Sequence, residues 1–456
     1  MAQWMCFFEK KDMYRADSSR TRIAFFRGLF VFLQSLAVGL LLFSFWLPYD
    51  ISYNFYSYVL GVSVGISVVY ACLRPRLSWE WSQSRPFLPM VLLYLLMWLS
   101  VLYSMDKVEA VRRCWYCLSL LLYPVIFVGM GRDFFSVKRC RLWAVVFVAS
   151  CFVEILCRTG LSVYCFCTVP ELEPYRQVGF VAALNEFLGF QNIYLSWAGY
   201  KLVMHTTFEA MVLNFAFALV AMSWIRKDSI LRRKGLRLGA LFFEFLSALT
   251  LLSSNSKTGQ VIFGCTLLIL FFQAFKYKRY RLVIGAGALL CSFLIVLLPY
   301  AGKGLTSRMT RSLEVFESFF SKPQEEVVSD GSTLPRIYCW QVAARMIRER
   351  PLAGYGMGFY SDFNKKFAEI YGDYGKVYSD SHNQFLNTML SNGLLGLALF
   401  LWLWVCMIRL AWQEKKVLGW IWLLSVFGLC MVDTFFNSLV FLFYLCAGYG
   451  LLSLKR

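Results

Sequence analysis

The chain has 456 residues, 59% hydrophobic and 16% charged, with a formal net charge of +19. Apolar runs of about 20 residues, the length of a membrane-crossing helix, recur along it and exclude a soluble domain built on one large core. The positive charge gathers in short loops between those runs, so it reads as membrane topology and excludes a nucleic-acid role.

The first 26 residues are polar and basic, with Lys10, Lys11, Arg15, Arg20 and Arg22. No small-residue cleavage site follows the first apolar run, so they read as a cytoplasmic tail before an uncleaved span. The pattern predicts an all-α polytopic membrane protein of about 12 transmembrane helices. These are expected at 27–47, 54–73, 86–104, 113–131, 142–160, 203–225, 237–254, 258–275, 282–300, 383–411, 417–434 and 437–453. Four regions follow: the tail at 1–26; nine spans at 27–300, with a smaller periplasmic loop at 161–202; a large, partly helical periplasmic loop at 301–381; and three spans plus a cytoplasmic C-terminus at 382–456.

Charge orients the bundle. Arg74, Arg76 and Arg85 share one side with Arg132, Lys138, Arg139 and Arg141, and with the Arg226–Arg237 and Lys276–Arg281 clusters. The opposite short loops, 48–54 and 433–438, carry no Lys or Arg. Both termini are therefore expected in the cytoplasm. The third outer loop fits less well, since Lys107, Arg112 and Arg113 stand there beside Asp106 and Glu109. In the smaller outer loop, 180–200 is expected to lie along the membrane interface.

Among 15 cysteines, Cys114 and Cys117 form a CxxC, but no second CxxC or His pair completes a zinc site. The cysteines read as packing residues and no metal is expected. Glu154 and Glu244 fall inside spans, where a carboxylate is either functional or paired within the bundle.

Chemistry points to a few polar positions at the edges of the spans. The chain has only two histidines. His205 opens His205-Thr206-Thr207-Phe208-Glu209 at the start of the sixth span. His382 opens His382-Asn383, followed after nine residues by Gly393-Leu394-Leu395-Gly396. Asp380 or Ser381 is expected to cap the helix that follows. At that N-terminus the helix dipole would hold the imidazole neutral, ready to accept a proton from a hydroxyl. Gly393 and Gly396 would permit close helix contact. In the large loop, Pro335–Arg348 reads as a helix with Arg336, Trp340, Ala343, Ala344 and Ile347 at helical spacing. Arg336 could grip a diphosphate bidentately, and Trp340 could stack on a sugar; a solvated arginine and a packing tryptophan are the plainer readings. Pro351 ends the helix and Gly354-Tyr355-Gly356-Met357-Gly358 reads as a pliable hinge. Lys257, in Asn255-Ser256-Lys257-Thr258-Gly259, must snorkel, pair or bind an anion so close to hydrocarbon.

Ser256-Lys257-Thr258-Gly259, Arg336 with Trp340, Pro351 with the glycine turn, and His382-Asn383 with Gly393 and Gly396 resemble, in order and spacing, the O-antigen ligase/polymerase superfamily over residues 250–400. The resemblance implies a metal-independent membrane glycosyltransferase without a cofactor. It would act on the periplasmic face of the bacterial inner membrane. Its donor would be a glycan on undecaprenyl diphosphate, and its acceptor lipid A–core or another glycan. It maps His382 to the essential histidine of the ligases and Arg336 to an arginine that holds diphosphate. Lys257 stands where many members carry arginine. Asn383 and His205 are further supporting candidates. The rival readings are a polymerase with the same donor, a ligase that glycosylates proteins, and a lipid-linked glycan transporter.

Overall fold

The computed structural model describes residues 25–42, 49–72, 84–168, 206–228, 233–253, 256–279, 310–321, 333–372, 379–413, 417–434 and 439–453, with the single positions 173, 177, 231 and 436. Among them there are helices and no strand. Numbered in order, they are α1 (Phe25–Leu42), α2 (Tyr49–Cys72), α3 (Leu88–Ser100), α4 (Lys107–Tyr116), α5 (Ser119–Phe134), α6 (Val137–Thr168) and α7 (Thr206–Arg226). They continue with α8 (Lys234–Ser253), α9 (Lys257–Lys276), α10 (310–321), α11 (Thr333–Glu349), α12 (Tyr360–Tyr371), α13 (Gln384–Gln413), α14 (Val417–Val432) and α15 (Leu439–Ser453).

Eight helices among the described residues are long and apolar enough to cross a membrane, and three shorter apolar helices accompany them at Arg85–Ser100, Val417–Val432 and Leu442–Leu451. The chain is therefore a multi-pass membrane protein. The expected run at 282–300 and the interfacial piece at 180–200 lie outside the described residues.

The centre of the bundle is α7, buried on nearly every side and packed by α6, α8, α9 and α14. A helix apolar all round belongs in such a place. Its polar Asn214, fully buried, gives Nδ2 to Thr266 Oγ1 of α9 at 3.0 Å and to Ser425 Oγ of α14 at 3.3 Å. With no apolar driving force between helices in lipid, such bonds and close packing hold the spans together. Gly259 supplies the close packing: a Cβ there would come within 2.4 Å of Ala210. Around this centre α5 packs on α2, α3 and α15, while α13 joins α3, α14 and α15.

Of the two span carboxylates singled out in the sequence, Glu154 is paired, whereas Glu244 Oε1 is buried without a hydrogen-bond partner among the described residues. Arg158 of α6 is 3.4 Å from Glu154 and bridges to Glu209 of α7, all three side chains nearly buried. Two acids around one guanidinium satisfy charges that lipid would not tolerate alone. Cys114 and Cys117 are fully buried and pack in the apolar core. Two of the three cations expected in the third outer loop are paired: Glu109 bridges both Arg112 and Arg113, and the Arg113 guanidinium lies 4.1 Å from the Tyr360 ring centre.

A second, smaller core forms where α10, α11 and α12 pack together, with Val315, Ile337, Val342, Phe359 and Phe363 inside it. It includes Leu390 from α13, so this subdomain is fused to the bundle. The helix expected at Pro335–Arg348 is found as α11, Thr333–Glu349.

The glycine turn after α11 is not a hinge. Tyr355 N and Gly356 N donate to Leu390 O and Ser391 O at 2.7 and 2.9 Å, and Leu394 N donates to Pro351 O at 2.9 Å. Met357 N and Gly358 N donate to Ser100 Oγ and Ser104 Oγ at 3.1 and 2.9 Å. The turn is docked between α3 and a break in α13 and repairs that break. At Gly393 the backbone adopts φ 59°, ψ −156°, a conformation essentially confined to glycine. A Cβ there would meet Leu352 O at 2.0 Å. The freed backbone groups of a broken membrane helix need partners, and the loop supplies them.

Candidate functional site

Asp380 to Gln384 links the smaller subdomain to α13. Its N-cap is Asn383, whose Oδ1 accepts from Phe385 N and Leu386 N at 3.0 and 3.2 Å. Asp380 and Ser381, expected as caps, do other work. Asp380 Oδ1 accepts from His382 N at 2.9 Å, and Ser381 Oγ donates to Asn387 Oδ1 at 2.6 Å. Asn383 Nδ2 also reaches Met431 O at 3.3 Å, tying the cap to α14.

His382 is thereby held at φ 47°, a left-handed backbone uncommon outside glycine. Such geometry persists only where the surroundings impose it, and it clusters at functional sites. The side chain remains 39% exposed, so a substrate can reach it. Its Nδ1 lies 3.9 Å from Asp433 Oδ1 and 3.7 Å from Asp380 Oδ1. These are ion-pair distances. Thr434 Oγ1, next to Asp433, donates to Asp380 Oδ2 at 3.4 Å, and Phe436 N donates to Gln384 Oε1 at 3.1 Å. The short α14–α15 connection thus closes over the histidine loop.

Two carboxylates reverse the electrostatics expected from the helix dipole. The His382 pKa is raised above the ordinary 6.5, first by Asp433, with Asp380 adding to it. Partial burial and the positive charge of Arg336 act in the opposite direction. The dipole effect is modest and confined to the first turn, and two nearby charges outweigh it.

Helix α11 packs on α13, and the positive charge of Arg336 acts to lower the His382 pKa. Arg336 is half-buried in the first turn of α11, and Trp340 follows one turn later. The Trp340 indole Nε1 is buried with no hydrogen-bond partner among the described residues. Lys257, the first residue of α9, is joined to the same corner. Its Nζ donates to Ser312 Oγ of α10, and Thr333 Oγ1, which begins α11, is 3.3 Å from Ser312 Oγ. Ser256 caps α9 by accepting from Gly259 N at 3.0 Å.

The fold thus gathers Lys257, Arg336, Trp340, His382 and Asn383 where the smaller subdomain meets α9 and α13. His205 lies outside the described residues. Among the described residues no group of three or more His, Cys, Asp or Glu is arranged to hold a metal. Sequence reasoning missed Asp433, Ser312 and Thr333. The signal available for Asp433 was an acidic residue in a connection of only a few residues between two apolar runs.

The residues that converge here fall within one block. Residues 242–401 match the family model described as O-antigen ligase. This block is similar to the O-antigen ligase family. It encloses Lys257, Arg336, Trp340, His382, Asn383 and Gly393, while Asp433 and the central helix α7 lie outside it. No curated protein matches the chain. The similarity spans 160 of the 456 residues and supports a membrane enzyme family of the O-antigen ligase/polymerase type.

Proposed function

We propose that the protein is a ligase-type glycosyltransferase. It would move a glycan from undecaprenyl diphosphate to lipid A–core on the periplasmic face of the bacterial inner membrane. The observation that carries this reading is the meeting of His382, Arg336 and Lys257 at one corner of the family domain. The topology is part of the proposal: twelve spans, both termini cytoplasmic, and 301–381 in the periplasm. The loop charges support it.

In this reading His382, neutral and oriented by Asp433, removes the proton from an acceptor hydroxyl. The hydroxyl oxygen attacks the anomeric carbon on the face opposite the diphosphate. The bond from that carbon to the diphosphate oxygen breaks, and the electron pair leaves with undecaprenyl diphosphate. A single displacement inverts the anomeric centre. Arg336 and Lys257 receive the charge of the leaving group without a metal or cofactor. Lys257 keeps the charge of an arginine but lacks its fork, so Arg336 provides the bidentate grip. Trp340 offers a ring face to the sugar.

A polymerase would use the same donor and the same groups; the His382-Asn383 string and its spacing favour the ligase. The glycolipid profile of the host after gene deletion separates them. Full-length polymer left on the carrier lipid, with none on lipid A–core, is the result expected. Single repeat units still joined to the core would instead identify a polymerase.

A further inference from the structure

Helix α10 has three faces. Val315 and Ser318 are buried against the smaller subdomain, and Phe319 packs there beside Tyr338. Leu313, Phe316 and Phe320, at positions i, i+3 and i+7, form a second strip that is 70%, 41% and 81% exposed. Glu314 and Glu317 are exposed on a third face, next to that strip on the helix surface. Apolar, acidic and packed sectors side by side are the pattern of a helix lying at a membrane surface.

A separate contact sets the depth. Ser312, one turn before Phe316, accepts a hydrogen bond from Lys257 Nζ. Lys257 is the first residue of α9, a helix long and apolar enough to cross the membrane, and Val261, one turn further in, is 51% exposed. The apolar strip therefore begins at the level where α9 leaves the hydrocarbon, alongside surface that α9 already turns to lipid.

We infer that α10 is an interfacial helix, its Leu313–Phe316–Phe320 strip embedded among bilayer acyl chains and Glu314 and Glu317 turned to water. The bilayer then holds Ser312, the partner of Lys257, at the height of lipid headgroups. A lipid-borne diphosphate presents itself at that height. The inference extends the proposed function but rests only on the membrane reading of α9.

The test places the photoreactive amino acid p-benzoylphenylalanine at 316, 317 or 320 in full-length protein, in nanodiscs of phosphatidylethanolamine and phosphatidylglycerol. After irradiation, adducts are identified by mass spectrometry. Phospholipid adducts at 316 and 320, several-fold above those at 317, are expected. Crosslinks to a second copy or to another protein, or lipid adducts no more frequent than at 317, would overturn the inference. If the 316 variant fails to accumulate, position 320, the most exposed of the strip, decides alone. The readout needs no glycosyl transfer, so a failure of the proposed function leaves this result standing.

Discussion

The two halves of α13 are built on opposite rules. Before Gly393 the helix buries Gln384, Asn387, Thr388, Ser391 and Asn392, and its hydrogen bonds run to the His382 loop, the α14–α15 connection and the glycine turn. After Gly393 it buries Phe400, Leu403 and Met407, and exposes Leu394, Leu395, Val405 and Ile408. One half is specified by polar partners, each of which would be costly to lose in an apolar setting. The other half needs only apolar side chains of suitable size. Substitutions should therefore hurt before the break and be forgiven after it.

The sharpest way to break the comparison is at the break itself. Gly393→Ala puts a Cβ against Leu352 O in a backbone conformation that L-residues avoid. It should cost about 3 kcal/mol or more. Loss of folded protein in detergent, followed by thermal unfolding, checks this. A variant with unchanged stability would mean that the break is not as described.

On the polar side, Lys257→Ala should lower transfer about 100-fold, the scale of losing one group that receives leaving-group charge. Lys257→Arg should retain most activity. An inactive arginine variant beside an active alanine variant would remove Lys257 from the diphosphate site.

Asp433→Asn should act on pH dependence. The His382 pKa is raised, so the ring is protonated below a midpoint that lies above 6.5 and accepts a proton only above it. The acid limb of the pH–rate profile should therefore have its midpoint above 6.5 in the wild type. Removing the largest raising influence should move that limb to lower pH, with a smaller loss of rate from poorer ring orientation. An unmoved limb would separate Asp433 from His382. At the far end of the scale, Leu395→Ala sits 57% exposed on the apolar half. It should change stability by no more than about 0.5 kcal/mol, because lipid replaces the lost contacts.

Much of this was legible in the sequence because it rests on local signals. Apolar run length marked helices such as α7 and α9 to within a few residues, and the loop helix α11 announced itself through Pro335 and the spacing of Arg336, Trp340 and Ala343. The family block was readable from the order of its polar elements. What escaped depends on contacts distant in sequence. Gly354–Gly358 has the composition of a hinge, and only its pairing with Leu390 and Ser391 makes it a clamp. A helix N-terminus suggested a depressed histidine pKa, but Asp433, 51 residues beyond His382 in the numbering, reverses the sign. Asn383 displaced Asp380 and Ser381 as the cap because those two are engaged with His382 and Asn387. Ser312, the link between Lys257 and α11, carries no sequence pattern at all.

The most direct measurement is transfer by purified protein supplied with an undecaprenyl-diphosphate glycan and lipid A–core. Wild type should release undecaprenyl diphosphate and form the joined glycolipid. His382→Ala should do neither, although it is folded and still binds the carrier-linked donor. Full transfer by His382→Ala would contradict the account at its centre.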